Sequence, residues 1–374
     1  MIAIKDKKDC CGCSACVQIC PKQCIRLGVD EEGFEYPSVN TSECVNCGLC
    51  ERVCPMLNPG ASKIPLKVCA AKNQDEEVRA RSSSGGVFTP LAEAVIRQNG
   101  VVFGAAFDDQ WNVRHTYTEN EKGLEAFRGS KYVQSKIGES YLQARKLLKQ
   151  GRMVLFSGTS CQIAGLNRFL GKEYPNLVTL EILCHGVPSP MVWQKYLDQK
   201  RKECRCTGIK QISFRDKKGG WSDYNVVLGF ENGKVYEKPH RKDPYFRGFL
   251  KNLYLRPSCY HCRCKNGRSG SDLVIADYWN IKNVRPDYHD NKGVSLVLIH
   301  SEKGNRLFHS ISGNINFIET GYEECLVNNK GFAEHLSENK KRATFFKTLK
   351  VRRTKRAFLI SFSLMSRIKA MLWN

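Results

Sequence analysis

The chain has 374 residues, 41% hydrophobic and 26% charged, the proportions of an ordinary globular protein. No apolar run approaches the ~18 residues that a membrane-spanning helix needs, and the start MIAIKDKKDC lacks the apolar core of a secretory signal. The net charge of +22 suits nucleic acid, anionic lipid, an acidic electron-transfer protein or a phosphorylated cofactor, and alone selects none of them.

Nineteen cysteines without an export signal imply a reducing cytoplasm, where thiolates serve metals rather than each other. CCGCSACVQICP, residues 10–21, places Cys10, Cys13, Cys16 and Cys20 in the order C-x2-C-x2-C-x3-C-P. CVNCGLCERVCP repeats that order 34 residues later with Cys44, Cys47, Cys50 and Cys54. In this bacterial ferredoxin spacing three close thiolates hold one four-iron cluster and the fourth cysteine ligates the other cluster. The expected ligand sets are Cys10, Cys13, Cys16 and Cys54 for one 4Fe-4S cluster, and Cys44, Cys47, Cys50 and Cys20 for the other. Zinc sites usually separate two C-x2-C pairs by a longer stretch, and disulfides need an oxidising compartment. Cys11 and Cys24 fall outside the spacing and are expected to be packed free thiols. Between the repeats, IRLGVDEEGFEYPSV reads as two strands around an Asp-Glu-Glu-Gly turn.

MLNPGASKIPLK, residues 56–67, has two prolines, a glycine and no periodicity, and reads as a linker. This separates a cluster module at 1–58 from a larger domain at 66–335 and a basic tail at 340–374. KVCAAKN reads as a strand, GVFTPLAEAVIRQ as a helix and GVVFGAAFD as a buried strand. Ser82, Ser83, Ser84, Gly85 and Gly86 stand where the chain enters that helix. They could present free N–H groups to a phosphate, or simply cap the helix. A second unit follows as the helix GESYLQARKLLKQ, the strand RMVLFSG, the turn TSCQ and the helix IAGLNRFLG. The strand LVTLEILCHG ends on Cys184 and His185 and breaks at VPSP. Beyond it, IKQISFRD, YNVVLGFENGKVYEK and DLVIADYW are strand-rich, with ENG as a hairpin turn, so the fold class is α+β. LRPSCYHCRC places Cys259, Cys262 and Cys264 in a loop, and Cys161 and Cys184 each follow a buried strand. Four such thiolates could hold a further cluster, although spacing alone does not select them.

SSSGGVFTPLAEAVI, GSKYVQS, VLFSGTSCQIAGL, LCHGVPSP, FRDKKGGW, LRPSCYHC and SDLVIADYW occur in that order. Together with the cysteine module they resemble the coenzyme F-420 hydrogenase/dehydrogenase beta-subunit family, over about residues 8–300. The resemblance implies a bacterial-type double 4Fe-4S ferredoxin module followed by a mixed α/β flavin-binding domain. It implies FAD and a third 4Fe-4S cluster in the large domain. The activity it implies is an iron–sulfur flavoprotein oxidoreductase passing electrons to a hydride carrier or small organic substrate. Some relatives accompany surface-polysaccharide synthesis. Gly85, Gly86, Lys131, Gly158 and Thr159 become candidates to contact the flavin or its diphosphate. Cys161, Cys184, Cys259 and Cys262 become the implied ligands of the inner cluster. Ser160, Cys264 and Asn280 depart from the family pattern, and Cys264 leaves the fourth inner ligand open. Implied partners are a redox protein or a nicotinamide- or deazaflavin-type carrier. One alternative is an electron-transfer subunit with no substrate of its own. Another is a nucleic-acid-binding iron–sulfur protein, disfavoured because no basic motif interleaved with aromatics stands out.

From Lys340 onward there are eleven basic residues and no acidic one. Arg352, Arg353, Lys355 and Arg356 precede a segment too short to span a bilayer. On a helix, Phe358, Phe362, Met365 and Ile368 would share one face. Such a tail fits either a peripheral position on an anionic membrane or a helix packed on the protein's own core. From the repeat itself, residues 1–60 expressed anaerobically are expected to bind about eight iron atoms, and Cys11→Ala to leave that count unchanged. Two zinc atoms without visible absorption would overturn this reading.

Overall fold

The computed structural model of the chain describes residues 1–351 and 354–361. In the module, β1 (Ile25–Val29) and β2 (Glu35–Val39) form the antiparallel hairpin expected between the repeats. Asp30 closes its turn by accepting from the Glu32 and Phe34 N–H groups at 3.0 and 2.9 Å. Each cysteine repeat leads into a short helix, Ala15–Ile19 and Leu49–Arg52.

The remaining strands are β3 (Lys67–Asn73), β4 (Val101–Phe107), β5 (Val113–Thr118), β6 (Val154–Gly158) and β7 (Leu177–Ile182). They continue with β8 (Ile209–Asp216), β9 (Asn225–Phe230), β10 (Val235–Pro239), β11 (Leu273–Asp277), β12 (Ser295–Ile299) and β13 (Ile315–Glu319). Eight of them form one mixed sheet in the order β13-β3-β12-β11-β7-β6-β4-β5. β4, β6, β7 and β11 are parallel neighbours, and β3 shares their direction because β12 is antiparallel to both β3 and β11. Side chains alternate across the sheet, as the period of two requires. Val102, Ala106, Val297 and Ile299 pack under the helices Phe88–Arg97 and Glu302–His309. Val101, Phe103, Val154 and Phe156 pack under the helices Ser140–Lys149 and Ser160–Leu170. β8, β9 and β10 form a separate antiparallel sheet, whose hairpin turns at Glu231–Gly233 as expected.

The structure adds one feature of strand order and changes two local expectations. β3 and β4 are not neighbours, because the wholly apolar SLVLI of β12 takes the place beside β3 with both faces buried. The helix after β6 begins at Ser160 rather than Ile163, since Thr159 and Gln162 form a capping box there. Cys161 therefore lies in the first helical turn. VPSP does not simply end a strand. Ser189 accepts from the Val192 N–H and Pro190 occupies the first helical turn, which starts the helix Pro190–Cys204.

Of the two positions open to the tail, Phe358 takes the one on the protein's own core: it is 2% exposed and packs against Tyr196, Tyr245, Tyr254 and Phe345. Arg352, Arg353, Phe362, Met365 and Ile368 lie outside the described residues. Among the described residues no helix is long and apolar enough to cross a membrane.

The module is seated on the large domain at several points. Arg342 forms a bidentate ion pair with Glu32, and Ser189 donates to the Glu32 carbonyl at 2.5 Å. The Gln18 side chain accepts from the Tyr141 and Leu142 N–H groups, both at 3.1 Å, at the start of the helix Ser140–Lys149. Phe358→Ala is predicted to lower unfolding stability by about 3 kcal/mol, measured by denaturant titration of the full chain. A chain ending at Lys350 is predicted to lose at least as much, because it uncovers the same aromatic cluster.

Candidate functional site

The two cysteine repeats have one backbone geometry. Gly12 and Ser14 take positive φ values of 72° and 60°, and the residues 34 later, Asn46 and Gly48, take 53° and 72°. Left-handed residues at these positions curl each loop so that its N–H groups and thiols turn toward a common centre. Cys10, Cys13, Cys16 and Cys54 are electrostatic neighbours. Burial, with Cys10 and Cys54 alongside, pushes the Cys16 thiol up to about 12. Cys13 faces Cys16 and Cys54, and Cys54 faces Cys10. Cys20, Cys44, Cys47 and Cys50 instead line one pocket that opens to solvent. Cys24 lines it too, 3.5 Å from Cys20.

A crowd of mutually repelling thiols suits a cationic iron–sulfide core, which favours thiolates. Among the described residues no three His, Cys, Asp or Glu side chains close to the spacing of a single metal ion.

The large domain gathers a third thiol group beyond the carboxyl ends of the parallel strands. Cys161 comes from the helix after β6, Cys184 from two residues past β7, and Cys259 and Cys262 from the turn Pro257–His261 and its end. Cys184 lies near Cys161, Cys259 and Cys262, and burial pushes its thiol well up. The Val187 N–H donates to the Cys259 sulfur at 3.4 Å. A hydrogen bond from Cys264 holds Cys262 down at about 7 against the effect of burial, while the same bond pushes Cys264 up.

The cofactor candidates lie along the same sheet edge. The Gly85 N–H donates to Ser295 Oγ at 3.0 Å, and the Gly86 carbonyl accepts from Asn73 at 3.1 Å. Ser83 accepts from the Ser130 N–H at 2.7 Å, which brings this loop against the one carrying Lys131. Lys131 donates to the Arg128 and Gly129 carbonyls at 3.1 and 3.2 Å, and burial lowers it to about 7. Gly158 ends β6 and Thr159 caps the helix that follows.

Residues that sequence reasoning passed over hold this turn. His115 donates from Nε2 to the Ser157 carbonyl at 3.0 Å and accepts from Ser135 Oγ at 2.7 Å. Gln162 donates to Ser135 at 2.9 Å and accepts from the Thr159 N–H at 2.9 Å. Only GSKYVQS and VLFSGTSCQIAGL, quoted for their resemblance, pointed to Ser135 and Gln162. Nearby, Arg215 pairs with Asp277 at 2.5 Å, and Trp221 donates to the same carboxylate at 2.7 Å. Lys217 donates to the carbonyls of Arg79, Ser84 and Lys292, which fixes the 82–86 loop.

The cysteine repeats match the family model of the 4Fe-4S dicluster domain over residues 9–57, so the chain is an iron–sulfur protein. Residues 68–140 match the N-terminal model of the coenzyme F420 hydrogenase/dehydrogenase beta subunit, and residues 151–322 match its C-terminal model. The chain belongs to the coenzyme F420 hydrogenase/dehydrogenase beta subunit family, an oxidoreductase family, and carries an N-terminal 4Fe-4S dicluster domain. It is also similar to a chain of the xenon-derivatised F420-reducing [NiFe] hydrogenase complex from Methanosarcina barkeri. That match has 15% identity and a TM-score of 0.46, over 79% of this chain and 91% of that one. No curated protein matches the chain.

Burial lowers His115 from 6.5 to about 4, so the unfolded chain binds more protons between those values. Stability is therefore expected to be full above pH 6.5 and to fall as the pH drops toward 4, by at most about 3 kcal/mol. In His115→Gln that part of the slope should disappear, as read from denaturation midpoints against pH.

Proposed function

We propose that this chain is an iron–sulfur flavoprotein that moves electrons between a one-electron protein partner and a hydride carrier or small organic substrate. Cys10, Cys13, Cys16 and Cys54 hold one module cluster, and Cys20, Cys44, Cys47 and Cys50 the other. Cys161, Cys184, Cys259 and Cys262 hold a third, with Cys264 donating a hydrogen bond to Cys262. Flavin lies along the same edge, against Gly85, Gly86, Lys131, Gly158 and Thr159. The observation that carries the reading is the meeting of the inner thiols and the Gly158–Thr159 turn at the carboxyl ends of parallel strands, where open α/β sheets take their ligands. A bound flavin supplies the exchange between one-electron and two-electron chemistry. The chain's own part is to orient and seclude it. His115, Ser135 and Gln162 keep the turn rigid, and Lys131 offers a cation to a diphosphate or to an electron-rich ring.

The family's description as a hydrogenase/dehydrogenase beta subunit favours a second reading, in which a catalytic partner holds the substrate and this chain only relays electrons. Reduction of a small carrier by the purified chain with an artificial donor would exclude it.

Anaerobic protein is expected to carry about twelve iron atoms, matching sulfide and one flavin. Cys259→Ser or Cys262→Ser should remove about four of those irons and slow flavin reduction. Full iron in both variants would make the inner thiols structural, and absence of flavin would overturn the flavoprotein reading.

A further inference from the structure

The module's two thiol groups face different surroundings. Cys47 is exposed, and the cavity it shares with Cys20, Cys44 and Cys50 is rimmed by exposed Met1 and Val45. The Cys10, Cys13, Cys16 and Cys54 group turns inward. Cys13 rests on Gly165 of the helix Ser160–Leu170, where a Cβ would lie 2.9 Å from the Cys13 Cβ and 3.0 Å from its sulfur. Gly165 and Cys161 are four residues apart, so they share one helix face with a rise of about 6 Å between them. Cys11, 7% exposed, packs in one buried cluster with Cys13 and Cys161.

Arg256 joins the same two groups. It is 1% exposed, donates to the Cys10 carbonyl at 2.7 Å and to the Cys10 sulfur at 3.4 Å, and spreads to Gln134 and the Glu35 carbonyl. Its own carbonyl accepts from the Cys259 N–H at 2.9 Å. One residue thus grips a module thiol by its side chain and the backbone of an inner cysteine by its own carbonyl.

We infer that electrons cross between the module and the large domain at the Cys13–Gly165 contact, with the buried cysteine group next to the inner thiols and the open group outermost, toward the protein partner. Gly165 and Arg256 are positioning residues for that crossing. This deepens the proposed function and rests on it. Each crossing moves one electron in either direction, oxidising one thiol-held group and reducing its neighbour, with no bond or proton transferred. Because tunnelling falls steeply with separation, a glycine that lets sulfur touch a helix backbone has a direct effect on the rate.

The test uses the full chain, loaded anaerobically, reduced with dithionite and examined by electron paramagnetic resonance. In the intact chain the inner signal should be broadened by a close paramagnetic neighbour. Cys47→Ala, which removes the open cluster, should leave that broadening, whereas Cys13→Ala should abolish it. Gly165→Ala is expected to keep about twelve irons while weakening the coupling and slowing inner-cluster reduction. Arg256→Lys, which keeps the charge and loses the fork, should do the same should Gly165→Ala fold poorly. Loss of broadening in Cys47→Ala but not in Cys13→Ala would reverse the order and overturn the inference. Only about eight irons in the intact chain would show instead that the inner-cluster reading had failed, and the inference with it.

Discussion

A thiolate becomes harder to hold as it loses water, and harder again with each like charge beside it. This chain nevertheless packs Cys10, Cys13, Cys16 and Cys54 together, and Cys161, Cys184, Cys259 and Cys262 within a largely buried site beside them. In the proposed clusters that charge is met by the iron–sulfide core. The surrounding cations follow the same logic. Arg256 lies against Cys10, and Lys265 near Cys184 and Cys262. Part of the chain's positive charge thus lies inside, beside the cysteine groups.

The sheet turns that electrostatic requirement into a location. β4, β6, β7 and β11 run parallel, so their carboxyl ends fall on one edge, and the segments leaving β6, β7 and β11 bring Cys161, Cys184 and Asp277 to it. The module is seated on the same side through Gln18, Arg256 and Glu32, which brings its inward thiols against the helix that carries Cys161. Clusters and the candidate flavin turn thus share one layer above the sheet. Phe358 belongs to the aromatic core under β8 and β9, where Trp193, Tyr196, Tyr245 and Tyr254 leave room for one more ring.

Much of this was legible before folding was considered. The ferredoxin spacing names eight thiols because three convergent sulfurs require a tight loop of fixed length, and that local demand reappears as paired left-handed residues at 12 and 46 and at 14 and 48. β3, β8 and the β9–β10 hairpin coincide with their sequence patterns because alternation and turn residues act over a few positions. The inner thiols could be named only by resemblance, since they come from three segments more than 20 residues apart, beyond the reach of any spacing rule.

Tertiary structure alone decided the rest. Cys11, outside every spacing, proves to stand between two thiol groups, a position set by packing on the helix Ser160–Leu170. Gly165 reads as an unremarked small residue in a helix until Cys13 is seen against it. His115 sits in a polar stretch with no motif, and its role depends on Ser135 and Ser157 arriving from elsewhere. The physical reason is common to all three. Local sequence sets backbone conformation through sterics and nearest-neighbour hydrogen bonds, whereas contact across a sheet or between domains depends on burial shared by segments distant in the chain.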